Sequence, residues 1–257
     1  MLTKRVKIVQ VNIYKGRYLD ALVDFLVSER PDFVTMQEVT TNAFNLYEDK
    51  TVSMFDLLCR RLKMHGVFNG DLKLKGDETS VFGNAVFSKY PIVGKNILEL
   101  KTFRPVTIEE LDGVRGNIRE KIDRHLLDAR IDFWGRTLHV LSWHGAWTAP
   151  PQDNDETYRQ AQTVFEYLKN IDFKFILGGD LNAVRESKTV QLISSISNNF
   201  MNNSKIHGTL NLSVHKIAPM GYLIDYIFAS KGTKLNKLSV PQITVSDHLP
   251  VIAEVEI

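Results

Sequence analysis

The sequence predicts an α+β fold in which two packed, mixed β-sheets are flanked by helices. Three observations lead there. Apolar, strand-like segments fall in adjacent pairs, helical spacing recurs in only a few stretches between them, and the strict alternation of a doubly wound parallel sheet is missing. With 257 residues and 44% hydrophobic content, the chain can bury one large core, so a single domain over 1–257 is expected. No repeat, low-complexity tract or Pro/Gly/Ser-rich linker divides it.

Taken in order, Val6 to Ile13 reads as a strand. Tyr18 to Glu29 puts Leu19, Leu22, Val23 and Leu26 on one helical face, and Pro31 ends it. Asp32 to Val39 is a second buried strand. The stretch from Asn42 to Met64 reads as one helix with Leu57, Leu58 and Leu62 on its apolar side, and Asn69 to Ser80 as a rim loop. Val81 to Ser88 and Ile92 to Leu100 read as a strand pair around Lys89-Tyr90-Pro91. Phe103 to Arg124 is polar and charge-mixed, with Arg104, Arg115, Arg119 and Lys121 among Glu109, Glu110, Asp112 and Glu120. It is expected to be a long, solvated excursion. Leu126 to Phe133 and Arg136 to His144 flank Trp134-Gly135, a hairpin signal. Thr157 to Lys169 is a helix with Tyr158, Ala161, Val164, Phe165 and Leu168 on one face. Phe173 to Gly179, Leu223 to Ala229 and Leu249 to Ile257 complete the strands.

Composition excludes several functions. Lys and Arg total 32 against 30 Asp and Glu, a net charge of +2, and no basic block suggests an arm for binding nucleic acid. The single cysteine, Cys59, rules out disulfides within the chain and zinc sites built from several cysteines. The first residues lack the apolar core, about 7–15 residues long, of a signal peptide. No stretch approaches the roughly 20 apolar residues of a membrane span. A cytoplasmic protein with no transmembrane segment is therefore expected, and nothing implies a partner protein.

The chemistry is carried by polar residues standing where core residues are expected. In Phe33-Val34-Thr35-Met36-Gln37-Glu38, alternation puts Glu38 on the face of Val34 and Met36, where an acid is costly unless a cation or donors meet it. Asp225 lies in Leu223-Ile224-Asp225-Tyr226-Ile227-Phe228, apolar on both faces, and needs a partner such as a histidine or a metal. Gly178-Gly179-Asp180-Leu181-Asn182 ends an apolar strand. Asp180 and Asn182, two apart, share a direction in an extended chain and suit a water or a phosphate oxygen, although the same letters make an ordinary turn. Ser246-Asp247-His248 precedes the last strand, His144 closes the strand Leu138 to Trp143, and Asn12 closes the first. Each signal has a plain structural reading as well, a solvated strand end or a satisfied buried group. Their common place at strand ends is the informative point. Such an oxygen-rich set suits Mg²⁺, with Mn²⁺ as a substitute, and substrate phosphate would complete the shell.

The order of motifs resembles the endonuclease/exonuclease/phosphatase superfamily, the group that includes deoxyribonuclease I. The likeness runs through Val11-Asn12, Gln37-Glu38, Gly83-Asn84-Ala85-Val86-Phe87-Ser88, His144, Tyr158-Arg159-Gln160, Gly179-Asp180-Leu181-Asn182, Ile224-Asp225-Tyr226-Ile227 and Ser246-Asp247-His248. It implies a four-layer αββα sandwich with the site at one rim of the sheets. It also implies roles. Glu38 would be the principal Mg²⁺ ligand with Asn12 and Asp247 nearby, and Asp180 and Asn182 would orient the attacking water. His248, held by Asp225, would serve a phosphate oxygen, and His144 the phosphate or the leaving group. Ser142-Trp143-His144-Gly145 puts a histidine where exonuclease III-type members carry tyrosine, so the chain resembles the histidine branch.

The expected reaction is hydrolysis of a phosphate ester, by a phosphodiesterase or nuclease first, with nucleic acid among the candidate substrates. Phosphomonoesters, sphingomyelin and phosphoinositides stay open, as does a catalytically inactive binding module. Asp123-Arg124-His125 followed by Gly179-Asp180 also touches the pattern of calcineurin-like metallophosphatases, but in the wrong order. Asn84, Arg124 and Trp147 are candidate substrate contacts, Trp147 because an indole can stack on a base.

Overall fold

Strand β1 (Arg5–Asn12) is buried along nearly its whole length, as expected for a strand hydrogen-bonded on both sides at the middle of a sheet. The structure is a computed structural model that describes residues 4–107, 109–110, 122–215 and 221–257. The further strands are β2 (Phe33–Thr40), β3 (His65–Leu74), β4 (Asp77–Ser88), β5 (Ile92–Lys101), β6 (Arg124–Asp132), β7 (Thr137–His144), β8 (Lys174–Asp180), β9 (Ser197–Asn199), β10 (Asp225–Ser230), β11 (Lys234–Ser239) and β12 (Val251–Glu256). The helices are α1 (Leu19–Glu29), α2 (Met54–Leu62), α3 (Asp155–Lys169) and α4 (Lys188–Ile196).

The strands form two six-stranded sheets, ordered β11-β12-β1-β2-β4-β3 and β5-β6-β7-β8-β10-β9. Each is mixed: β1 runs parallel to β2 and β7 parallel to β8, and the other ladders are antiparallel. On one outer face, Leu19, Leu22, Val23 and Leu26 of α1 and Met54 and Leu58 of α2 pack with Val9, Val11, Val34, Met36 and Phe87. Ala161, Val164 and Leu168 of α3 and Val190 and Ile193 of α4 join the residues of the second sheet. Ile8, Phe33, Val86 and Val251 of the first sheet belong to that same cluster, so the sheets meet face to face. Burying each such leucine or valine contributes roughly 1.5–3 kcal/mol. The layers are helices, sheet, sheet, helices, as the resemblance implies.

Local signals set the helix ends. Asn154 and Thr157 form a reciprocal capping box at the start of α3, with Asp155 and Glu156 in its first turn where the helix dipole favours acids. Ser53 caps α2 by accepting from Asp56 N. Arg30 ends α1 in the left-handed region at φ 50°.

Several expectations are corrected. The helix read over Asn42 to Met64 is a 3-10 turn (Asn42–Phe44) and the shorter α2. Between them Asn45 donates to Val52 O and accepts from Thr40 Oγ1, so side-chain bonds hold the backbone out of a helix. The stretch Asn69 to Ser80 is not a loop but the β3–β4 hairpin, turning at Lys75-Gly76 with Gly76 at φ 84°. Strands β4 and β5 are not a pair: Lys89-Tyr90-Pro91 carries the chain from one sheet to the other. β9, β11 and α4 were not anticipated. The β6–β7 hairpin is found as read. Of the excursion read from Phe103 to Arg124, 108 and 111–121 lie outside the described residues, including Asp112, Arg115, Arg119, Glu120 and Lys121. Among the described residues, no helix is long and apolar enough to cross a membrane.

A buried polar strip crosses the otherwise largely apolar sheet interface. Thr35 Oγ1 donates to Gln10 Oε1 (2.7 Å), Gln37 Nε2 to Ser142 Oγ (3.0 Å) and Ser142 Oγ to Met36 O (3.0 Å). Each polar group finds a partner, as burial requires. Gly178 lets the sheets approach here, because a Cβ would collide with Thr35 Oγ1. The strip leads to the rim where the candidate residues gather.

Candidate active site

Strand ends bring the polar residues to one rim. His144 at the end of β7 pairs with Asp180 at the end of β8, and Asp180 pairs with Asp225 at the start of β10. Asn12 ends β1 and faces the sheet interface. Its Nδ2 donates to Asp180 Oδ2 (3.1 Å) and reaches Glu38 Oε1 (3.4 Å). One amide thus joins acids from both sheets.

Glu38 arrives there by a route that alternation does not predict. Val34 and Met36 face the helices, and regular pleating would send Glu38 the same way. The β2–β4 register instead shifts between Met36 and Val39, and Glu38 has φ 58°. A bulge with a left-handed residue re-aims a side chain at a local cost in strain. Here it turns Glu38 toward Asn12.

Asp180 is fully buried. Oδ1 accepts from Asn182 N (3.0 Å), and Oδ2 lies 3.5 Å from His144 Nε2 and 3.8 Å from His248 Nε2. Asn182, at φ 50°, closes an Asx-type turn on Asp180 and donates from Nδ2 to Gly145 O (3.2 Å). The motif is therefore an ordinary turn and a site element together. His248 Nδ1 donates to Asp225 Oδ2 at 2.8 Å. Asp225 N donates in turn to Thr209 Oγ1, and Gln10 Nε2 approaches Asp225 Oδ1 at 3.5 Å. Ser246 Oγ donates to Asn12 O (2.6 Å), which pins Asp247 beside the end of β1.

Electrostatics reflect this crowding. Burial pushes the Asp180 carboxyl up to about 7, against the pull of His248. Burial also raises Glu38, with Lys15 opposing and Asp247 adding to the rise. Asp247 is raised mainly by burial, with His248 opposing. Burial alone would lower His248, but the Asp225 and Asp180 carboxylates outweigh it and hold it well above its ordinary value. Burial sends His144 well below its usual value, helped by Arg124.

Arg124 heads β6 and is buried, not solvated as the charge-mixed stretch suggested. Nε donates to Gly145 O at 2.9 Å. Burial draws its pKa down to about 10, while Asp180 and Glu38 act to hold it up. Asn84 is also buried and donates to the backbone oxygen of His125 (3.2 Å), beneath the rim. Trp147 sits half-buried in the loop after His144. Of the eleven candidates, Asn12, Glu38, Arg124, His144, Asp180, Asn182, Asp225, Asp247 and His248 are joined by bonds or charge interactions. Asn84 and Trp147 lie in adjoining segments.

The donor set fits a hard divalent cation. Three acids raised in pKa by burial share one rim, which positive charge would relieve, and no thiolate is among them. Ligand atoms of Asp180, Asp225 and His248, and separately of His215, Asp247 and His248, lie within 4.8 Å of one another. His215 was missed because its segment carries no motif. Thr209 and Gln10 were missed too, since their role is to hold other site residues and their types are common on any strand or turn; Ser246 was read only as part of its motif, without a role of its own.

A model of the Endonuclease/Exonuclease/phosphatase family matches residues 9–248. No curated protein matches the sequence. Among solved structures, an endonuclease/exonuclease/phosphatase from Bacteroides vulgatus superposes with a TM-score of 0.75 at 17% identity, covering 99% of each chain. A mannosyl-6-phosphatase of Bacteroides thetaiotaomicron VPI-5482 gives 0.71 at 15% identity, covering 97% of this chain and 99% of that one. The human Nocturnin catalytic domain gives 0.69 at 14%, covering 98% and 97%. At these identities the likeness is one of fold.

Proposed function

Because the chain belongs to the endonuclease/exonuclease/phosphatase family, we propose that it is a Mg²⁺-dependent phosphoester hydrolase, acting first as a phosphodiesterase or nuclease. The observation that carries this reading is the Asn12 amide, which holds Glu38 and Asp180 together beside His144 and His248. Glu38, with Asn12 and Asp247, would hold the cation. Bound there, Mg²⁺ or Mn²⁺ would polarise a phosphoryl oxygen and stabilise charge on the leaving oxygen.

The chain's own residues supply the rest. Asp180, fixed by Asn182 N and Asn12, aligns a water and accepts its proton as the water attacks phosphorus. Protonated His248, oriented by Asp225, and the Asn182 amide donate to the phosphoryl oxygens as negative charge grows on them. His144 serves the leaving group. Arg124 adds a fixed positive charge, which its tie to Gly145 O keeps at the rim. Trp147 offers an apolar surface to the leaving part of the substrate, and Asn84 braces the strand below. Positioning and electrostatics provide most of the acceleration.

A phosphomonoesterase is the second reading, favoured by the shared fold of the mannosyl-6-phosphatase. A panel with Mg²⁺ or Mn²⁺ distinguishes the substrates: single- and double-stranded DNA, RNA, phosphomonoesters, sphingomyelin and phosphoinositides. Turnover of at least one ester, lost with chelator and in folded Asp180→Ala, is expected. No metal-dependent turnover on any of them would leave an inactive binding module as the better account.

A further inference from the structure

We propose that Asp71 and His125 form a positioning pair that fixes which ring nitrogen of His144 carries the proton. Asp71 is the extra residue of a bulge: Gly70 pairs with Gly83 and Leu72 with Phe82, which leaves Asp71 without a ladder partner. Bulges commonly re-aim side chains beside active sites. This one sends a carboxylate into the sheet interface, where Oδ1 meets His125 Nδ1. Both side chains are almost wholly buried, a costly arrangement unless it holds something in place.

The ladder then carries the pair to His144. Leu126 pairs with Trp143, so one residue further along each strand brings His125 level with His144. Alternation points both rings to the same side of the sheet. Two buried nitrogens are without a hydrogen-bond partner there: His125 Nε2 and His144 Nδ1. Burial draws His125 down to about 4. The neutral ring also fits the orphaned Nε2, even with Asp71 at Nδ1.

A neutral imidazole has one donor and one acceptor. Asp71 takes the Nδ1 proton of His125 as its hydrogen bond, so His125 Nε2 offers a lone pair. No direct hydrogen bond joins the two rings, so His144 Nδ1 would donate to it through one bridging water. His144 then carries its proton on Nδ1. Nε2, 3.5 Å from Asp180 Oδ2, keeps its lone pair and stands at the rim as an acceptor. No proton changes hands in this arrangement, and the pair acts only by orienting and polarising His144.

The kinetic consequence rests on the phosphoesterase reading, but the tautomer does not. Long-range ¹H–¹⁵N NMR of the full-length, metal-free protein should show His144 protonated on Nδ1 in the wild type and in Asp71→Glu. It should show a mixture or the other tautomer in Asp71→Asn and His125→Phe. With bis-p-nitrophenyl phosphate and Mg²⁺, Asp71→Asn should lower kcat about 10–100-fold with KM within about twofold, as for other residues that orient a site group. A wild-type His144 protonated on Nε2 overturns the proposal, and so does a tautomer unmoved in Asp71→Asn. The wild-type spectrum decides the matter even if a variant fails to fold. Absence of wild-type turnover would count against the phosphoesterase reading alone.

Discussion

His248 and Asp225 form a buried pair, with His248 Nδ1 donating to Asp225 Oδ2 at 2.8 Å, and the two residues come from segments 23 positions apart. Thr209 accepts from Asp225 N and Ser246 ties the His248 segment to β1, so neither partner is free to turn away.

The pair makes stability depend on pH. His248 is held well above its ordinary value because the Asp225 and Asp180 carboxylates outweigh burial. Its contribution is fully present below about pH 6.5, the unfolded value, and is lost as pH rises through the raised folded value. Asp225→Asn should therefore destabilise the metal-free protein most near about pH 6, with a penalty that shrinks in alkali, and lower kcat about 10²–10⁴-fold. Melting curves across pH test this, and a penalty constant with pH would contradict it.

Asp180 adds to the same trend, although here it is the charged form that burial disfavours. Burial pushes its carboxyl up to about 7, so without metal the folded protein loses stability as pH rises from about 4 to 7. Asp180→Asn should then unfold later than wild type at about pH 8 with chelator present, by on the order of 2 kcal/mol. It should also turn over at least about a thousandfold more slowly. Calorimetry showing an earlier transition for the variant would count against the assigned strain.

Gly178 tests the approach of the sheets. Its missing Cβ leaves room for Thr35 Oγ1 and Gln10 Oε1, so Gly178→Ala should cost about 1–3 kcal/mol through overpacking. Urea unfolding measures it. An unchanged midpoint would mean that the sheets can separate there freely.

Arg124 tests the buried cation. Lysine keeps the charge but lacks the planar fork that reaches Gly145 O, so Arg124→Lys should reduce kcat/KM about tenfold, mostly through KM. Full activity in Arg124→Lys would move Arg124 out of the site.

The site was legible in the sequence wherever an acid, amide or histidine interrupted an apolar strand, as at Asp180, Asp225 and His248. Glu38 was found, but on a face it does not occupy: alternation cannot see a bulge, and the left-handed turn at Glu38 changes its direction. Asp71 was hidden for the same reason, inside the stretch Asn69 to Ser80, which reads as a rim loop. Arg124 was named as a candidate contact, but the charged residues before it hid its burial. β11, whose sequence Lys234-Leu235-Asn236-Lys237-Leu238-Ser239 lies at a sheet edge, shows the polar composition that keeps edges from pairing, and composition alone reads it as coil. The layered fold was legible because the paired strands and three helical stretches carry strong periodicity. The assignment of β4 and β5 to different sheets depends on contacts far apart in sequence.

A hard cation held at Glu38 is the claim on which the hydrolase account turns. Anomalous scattering from crystals grown with MnCl₂ addresses it directly. A manganese peak bound by the Glu38 carboxylate next to Asn12 and Asp247 is expected. A rim without manganese at Glu38, or a peak only at His215, would contradict it.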